Sequence, residues 1–312
     1  MSRRVFVTGA SGFVGRAIVA ELLSRGFGVN ALQRDDRKRF DGDVAVVRGE
    51  INDRSSLELG MADCAAVVHL VGIICERPGT TFYEIHQHGT RAVVDAAKAA
   101  NVRRFIHMSA NGTRPDAVSD YHKSKWLGEQ YLREKSNIDW TIFRPSLIHG
   151  ANGEFMQSAV KWARGQAAPW LFMPYFGAGL LGTGGAGLMQ PIYVDDVARA
   201  FVSAIDNDAS IGQTYALGGA EAVSWPQLHH AIANAVVGKR RPVVPIPAWY
   251  AKAITYVVPG RLLPFNRAQV QMSQEDNTTD LAPFIRDFGW QPGGFSTTLA
   301  TYAAALRRNP SS

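Results

Sequence analysis

One stretch near the start, RVFVTGASGFVGRAIVAELLSRG (4–26), limits the folds open to this chain more than any other. An apolar, β-rich run meets Gly9, Gly12 and Gly15 at three-residue intervals, and the residues that follow repeat with helical period and close on Gly26. Glycines at such a turn permit a tight bend, close approach of backbone to a pyrophosphate, and close packing of helix on strand. The amino end of the helix then presents free N–H groups and the positive end of its dipole. Strand, turn and helix together predict a nucleotide-binding turn, and a purely structural glycine turn is the alternative reading.

The same alternation runs on to residue 150. GVNALQR, DVAVVRG, CAAVVHLVG, RRFIHMSA and DWTIFRPS read as further strands, with helices over GTRAVVDAAKAANV and YHKSKWLGEQYLREKS. Short apolar strands between amphipathic helices predict an α/β fold: a doubly wound parallel Rossmann sheet with helices on both faces. Beyond Gly150 the pattern breaks. Residues 1–150 and 188–218 are expected to form the dinucleotide-binding domain. Residues 151–187 and 219–312 are expected to form a smaller, mainly helical substrate-binding cap over the carboxyl edge of the sheet. Six glycines in 177–187 predict a mobile gating loop or a tight turn system.

Of 312 residues, 46% are apolar and 19% charged, the balance of a globular protein with a substantial core. Cys64 and Cys75 make no disulfide framework and suit a reducing compartment. No leader is expected ahead of the first strand and no apolar run is long enough to span a bilayer, so a cytoplasmic place is expected. The net charge of +6 is mild, and the short clusters RDDRKRF (34–40) and GKRRP (238–242) read as solvated loops or as contacts for an anionic ligand or membrane surface. No nucleic-acid recognition motif accompanies them, so no nucleic-acid partner is expected. His86 and His88, like His229 and His230, lack converging carboxylates or cysteines, so no metal is expected. WYAKAITYVVPG (249–260) is apolar enough to line a lipophilic pocket or touch a membrane.

The second strand ends ALQR, which places Gln33 and Arg34 where an NAD-preferring site needs a carboxylate. A guanidinium matches a 2′-phosphate in geometry and charge, so the residues predict NADP(H) in preference to NAD(H). Arg37, Lys38 and Arg39 follow closely, and Arg16 is a further cation. The alternative is that Arg34 is one solvated arginine among several and that Asp35 or Asp36 turns inward.

With Thr8 ahead of the glycines, the turn reads TGxxGxxG and resembles that of the extended and atypical short-chain dehydrogenases/reductases. The resemblance extends to YHKSK (121–125) in the YxxxK pattern, to FRPS and to PIYVDDVA. VVHLVGII, TFYEIHQHGT, RRFIHMSA, DWTIFRPSLIHG, YALGG and EDNTTD are similar to the short-chain-dehydrogenase-like accessory subunits of respiratory complex I and their bacterial relatives.

The resemblance implies that Thr8, Gly9, Ser11, Gly12, Phe13, Val14 and Gly15 hold the pyrophosphate, that Glu50 and Ile51 border the adenine, and that Val71 and Gly72 border the riboses. It also implies that Pro145 and Ser146 flank the nicotinamide. Tyr121 is then the proton donor or acceptor, with the Lys125 cation drawing the phenol's pKa down from its usual value of about 10. Ser109 is the hydroxyl after strand five. It is followed by Ala110 where such relatives carry a second hydroxyl, and His86 stands where many carry asparagine.

Two functions follow. One is an NADP(H)-dependent oxidoreductase for a hydrophobic carbonyl, alcohol or quinone-like substrate. The other is a catalytically weak NADP(H) holder with a structural, sensing or assembly role at a respiratory complex, peripheral at the inner face of a membrane.

Overall fold

The computed structural model describes residues 3–34, 40–135, 137–183, 187–258, 263 and 265–308. Asp35, Asp36, Arg37, Lys38 and Arg39 lie outside the described residues, as do 184–186 of the glycine-rich stretch. The chain divides into two units. The first joins Met1–Pro145, Val194–Leu217 and Leu281–Trp290, and the second Ser146–Tyr193, Gly218–Asp280 and Gln291–Ser312.

In the first unit the β-branched runs become β1 (Arg4–Thr8), β2 (Gly28–Gln33), β3 (Val44–Arg48), β4 (Cys64–His69), β5 (Arg104–Met108) and β6 (Asp139–Pro145). A further strand, Gln213–Leu217, is β10 in chain order, after β7 (Ile148–His149), β8 (Met173–Gly177) and β9 (Ile192–Tyr193). The sheet runs β10-β6-β5-β4-β1-β2-β3, and every neighbouring pair is parallel. The expected doubly wound parallel sheet is therefore present, with one more strand than the sequence pattern predicts.

The connecting helices are α1 (Phe13–Ser24), α2 (Arg54–Met61), α3 (Thr90–Ala99), α4 (Asp120–Lys135) and, after α5 (Glu154–Arg164), α6 (Val194–Ile205). Period-2 alternation sorts each strand between two faces. Phe6, Val67, Phe105 and Ile142 pack with Leu57, Met61, Val93, Val94 and Leu132. On the other face Phe143 meets Phe201 of α6 at 4.8 Å between ring centres, and also Tyr215 and Phe284. Side chains of this size contribute about 1.5–3 kcal/mol each when fully buried. The buried Arg104 is fully employed: its guanidinium donates to the carbonyls of Ala204 and Asp139 and to the hydroxyls of Thr141 and Ser210, pinning β5 to the end of α6.

The second unit has its own core, in which Met156 of α5 packs with Leu228, Ile232, Phe295, Leu299 and Tyr302. These come from α7 (Trp225–Val237) and the C-terminal helix Phe295–Arg308. Ser224 and Gln227 form a reciprocal capping box at the start of α7, and Gly238 ends it in the left-handed region. β8 pairs in parallel with β11 (Val243–Pro247), which leads into α8 (Ala248–Val257). The described part of the glycine-rich stretch is a turn: the Gly182 N–H donates to the Gly179 carbonyl, and a Cβ on Gly177 would lie 1.7 Å from the Gly182 oxygen.

Helix α4 meets the segment Tyr83–Gly89, just before α3, where only glycine fits. A Cβ on Gly128 of α4 would lie 2.4 Å from the His86 carbonyl oxygen, a backbone atom that cannot swing aside. Gly128→Ala should therefore destabilise the protein by about 1–3 kcal/mol, read from urea denaturation midpoints. An unchanged midpoint would show that α4 is free to move off the segment beneath it.

Candidate functional site

Gly12, extended and without a side-chain cap, immediately precedes helix α1, whose first turn carries no acidic side chain. Gly9 sits at φ +73°, and its carbonyl accepts from the Gly12 N–H at 3.0 Å. A Cβ on Gly15 would lie 2.1 Å from that same carbonyl, so α1 can press on the turn only through a glycine. Ser11, Phe13 and Val14 complete the turn and the first helical residues. Such a turn leaves the free N–H groups of the helix end available to anionic oxygens.

Thr8, at the end of β1, is buried and belongs to a chain of hydrogen bonds whose direction is set by its partners. The Leu70 N–H donates to Thr8 Oγ1, so the Thr8 hydroxyl donates to His69 Nδ1 at 2.7 Å. The Thr90 hydroxyl donates to the His86 carbonyl at 2.6 Å, and accepts from His69 Nε2 at 3.1 Å. The Ile73 N–H donates to His86 Nε2 at 3.0 Å, which makes Nδ1 the protonated nitrogen. That Nδ1 donates to Ser124 Oγ at 2.9 Å, and Ser124 donates to the Tyr121 carbonyl. Each of these imidazoles is held neutral in one tautomer: burial pushes His69 down to about 3 and His86 to about 2. His107, stacked on His69 at 5.2 Å, is also pushed well below the usual histidine range by burial.

Tyr121 stands edge-on to Phe82 and His86, with ring centres 5.7 and 5.2 Å away. One turn further along α4, the Lys125 ammonium donates to the Met108 carbonyl at 3.1 Å and lies 3.0 Å from where a Cβ on Gly72 would be. Burial lowers Lys125 to about 8, opposed by the charge of Glu129. Buried Glu129 is gripped by the Arg144 guanidinium through both its oxygens, at 2.9 and 2.6 Å, and by Arg133 at 2.7 Å. The phenol differs from the sequence expectation. Burial pushes it up to about 12 and the lysine is turned to a backbone carbonyl, so Tyr121 is a firmly held proton.

The remaining expected positions fall as follows. Gln33 is buried at the end of β2, and its Nε2 has no hydrogen-bond partner among the described residues, while the adjacent Arg34 is exposed. The Arg16 guanidinium lies over the Phe40 ring, 5.8 Å from its centre. Glu50 is exposed in the turn that follows β3, where its carbonyl accepts from the Asp53 N–H, and Ile51 packs into the core beside Gly89. Val71 and Gly72 follow β4, with the Val71 nitrogen close to Gly9. The Ser109 hydroxyl donates to Thr113 Oγ1 at 3.3 Å, and the Asn111 N–H donates to the carbonyl of Pro145. Ser146 belongs to the second unit, where its hydroxyl donates to the Asn277 carbonyl. Sequence reasoning missed His69, Thr90 and Ser124. Among the described residues, no group of three or more His, Cys, Asp or Glu side chains is placed to hold a metal ion.

The profile of the NAD dependent epimerase/dehydratase family matches residues 5–218. The chain is 25% identical over 284 residues to the mitochondrial NADH dehydrogenase [ubiquinone] 1 alpha subcomplex subunit 9 of Dictyostelium discoideum, covering 88% of this chain and 76% of that one. The Mus musculus protein of the same name is 28% identical over 221 residues, covering 68% of this chain, which spans only 56% of that protein's length. A ceramide reductase of Caulobacter vibrioides is 34% identical over 149 residues, 47% of this chain and 46% of that one. Among solved structures, a UDP-glucose 4-epimerase of Thermotoga maritima superposes with a TM-score of 0.76 at 18% identity, covering 98% of this chain and 99% of that one, a likeness of fold.

The buried neutral histidines set a pH dependence. Their folded pKa values lie below the unfolded value of about 6.5, so the unfolded chain takes up protons that the folded chain refuses. Stability should therefore be full above pH ~6.5 and fall as the pH drops below it. His86→Asn, which can still accept from Ile73 and donate to Ser124, should remove about one proton of that uptake. The acid limb should then flatten by about 1.4 kcal/mol per pH unit, read from denaturation at a series of pH values. An unchanged slope would show that His86 is already protonated in the folded protein.

Proposed function

Because this chain belongs to the NAD dependent epimerase/dehydratase family, we propose that it is an NADP(H)-dependent oxidoreductase of the short-chain type acting on a hydrophobic carbonyl, alcohol or quinone-like substrate. The observation that carries the reading is a juxtaposition. The Lys125 ammonium reaches the backbone at Gly72, beside the glycine turn, and Tyr121 stands one turn away on the same helix. Residues Thr8 to Gly15 would hold the pyrophosphate against the uncapped start of α1. Gln33, whose buried amide nitrogen lacks a partner among the described residues, and Arg34 beside it would hold the ribose and its 2′-phosphate. Glu50 and Ile51 would border the adenine, Val71 and Gly72 the riboses, and Pro145 the nicotinamide. Bound there, the nicotinamide supplies or accepts a hydride.

The chain's own contribution is a proton. A phenol held at about 12 keeps its hydrogen at neutral pH, which suits a donor to a carbonyl oxygen and favours the reductive direction. Lys125 supplies the positive charge that the nascent phenolate needs. A lipophilic substrate is supported by the likeness to a protein named as a ceramide reductase.

A second reading has its own support. Ala110 offers no hydroxyl, and the one on Ser109 is engaged by Thr113. Such a site suits a cofactor holder, and several relatives are named as subunits of NADH dehydrogenase [ubiquinone]. In that role the protein would sit in the cytoplasm, peripheral at the inner face of a membrane and against a respiratory complex.

Cofactor preference tests the first step. Arg34→Ala should weaken NADPH about tenfold or more and leave NADH nearly unchanged in titration calorimetry, the usual consequence of losing a charge-assisted contact. Equal affinities for the two cofactors, indifferent to the substitution, would refute the preference. The Tyr121 and Lys125 variants then separate enzyme from holder. For an enzyme, Tyr121→Phe should slow carbonyl or quinone reduction by about 10²–10⁴-fold with NADPH affinity intact, while Lys125→Met damages both. For a holder, Tyr121→Phe should be silent and Lys125→Met should lower NADPH affinity and Tm together. If Lys125→Met leaves NADPH binding untouched, the proposed site is wrong.

A further inference from the structure

Surface helices turn their apolar side inward, and α8 of the second unit does the opposite. Only Ala251 of its residues is buried, while Trp249, Tyr250, Tyr256 and Val257 face outward, Val257 at 84% exposure. The Trp249 indole N–H donates to the Leu180 carbonyl at 3.0 Å, which ties the helix to the turn after β8. That turn presents Leu180 and Leu181 at 79% and 73% exposure, and Gly182 packs its backbone on Ile246 and Pro247 so that the two leucines stand out beside the helix. Side chains of this kind exposed together mark a surface that something covers.

The two sequence segments that supply this face carry charges of one sign only. There is no acidic residue between Glu154 and Asp195, nor between Glu221 and Glu275, although the chain has 27. Those two segments carry Lys161, Arg164, Lys239, Arg240, Arg241, Lys252, Arg261 and Arg267. Lys252 rises from α8 itself, and the Arg267 guanidinium lies 4.9 Å from the centre of the Tyr256 ring.

We infer that the second unit docks on the surface of an anionic lipid bilayer through α8 and the Leu180–Leu181 turn. A bilayer matches both halves of the pattern. Indole and phenol groups settle at the headgroup level, leucines and valine enter the acyl boundary, and lysines and arginines meet the anionic headgroups. A second copy of the chain would set cation against cation. Among the described residues no helix is long and apolar enough to cross a membrane, so the attachment is interfacial. The inference rests on the peripheral placement proposed above and gives it a surface. It does not depend on the cofactor chemistry.

The test is co-sedimentation of the full chain with phosphatidylcholine vesicles, with or without phosphatidylglycerol, at low and high salt, with NADPH affinity measured alongside. Expected are binding at least about tenfold tighter to the anionic vesicles and its loss in high salt. Leu180→Ser with Leu181→Ser should weaken it about tenfold or more, and Val257→Glu should do so independently, both with NADPH affinity unchanged. Absence of vesicle binding by a protein that binds NADPH normally would overturn the inference and leave the cofactor reading standing. Vesicle binding indifferent to both variants would overturn it too, as would self-association in sedimentation velocity that the same substitutions abolish. Vesicle binding without NADPH binding would keep the docking face and sink the cofactor reading.

Discussion

The first unit depends on a hydrogen-bond chain that runs beneath its glycine turn. Thr8, His69, Thr90, His86 and Ser124 lie on five different segments, and each hydroxyl and ring nitrogen among them has a fixed role as donor or acceptor. A buried polar network is worth having only when every member is satisfied, because an unmade bond in low dielectric costs about 1–3 kcal/mol. Here the links between residues are made with good geometry. They fix the end of β1 to the end of β4, and both to α3 and α4. The glycine turn and the Tyr121/Lys125 pair thus share one rigid foundation, although Thr8 and Ser124 are far apart in sequence.

Much of this was legible in the sequence where one rule dominated. Short apolar runs of Val, Ile and Phe announced β1, β4, β5 and β6, and the glycine spacing announced the turn after β1. Other elements were hidden for identifiable reasons. α2 has only eight residues, including Gly60, and is held by its Asp53 cap as much as by apolar period. β8 and β11 read MPYFG and VVPIP, and proline is depleted in strands. They form instead a two-stranded parallel pair, in which a proline that lacks an N–H spoils little. The edge strand β10, QTYAL, is too mixed in polarity to stand out from its loop.

The candidate site divides along the same line. Tyr121 and Lys125 are visible because four residues make one helical turn, a local fact. His69 and His107 are stacked because β4 and β5 happen to be neighbours in register, and no local pattern carries that information. Likewise, the family resemblance implies that the lysine helps the tyrosine ionise, but only the packing reveals how far burial acts on the pair. Burial moves the phenol up rather than down.

The electrostatic role of Glu129 follows from that dryness. An ammonium as buried as Lys125 loses its proton readily, and burial alone carries it down to about 8 against the pull of Glu129. Glu129 lies one turn further along α4, wholly buried, and as an isolated carboxylate it would be untenable there. Arg144 and Arg133 make it tenable. Both guanidiniums also lie over the Trp126 ring, at 5.8 and 5.6 Å, so that aromatic faces as well as the carboxylate hold them in place. The order of dependence therefore runs inward from the partly exposed arginines to the carboxylate, and from the carboxylate to the lysine cation. A lysine still charged at neutral pH on the same helix as a phenol that keeps its proton is the state that the proposed reduction would need. Glu129, one helical turn beyond Lys125, and the two arginines that grip it would secure that state.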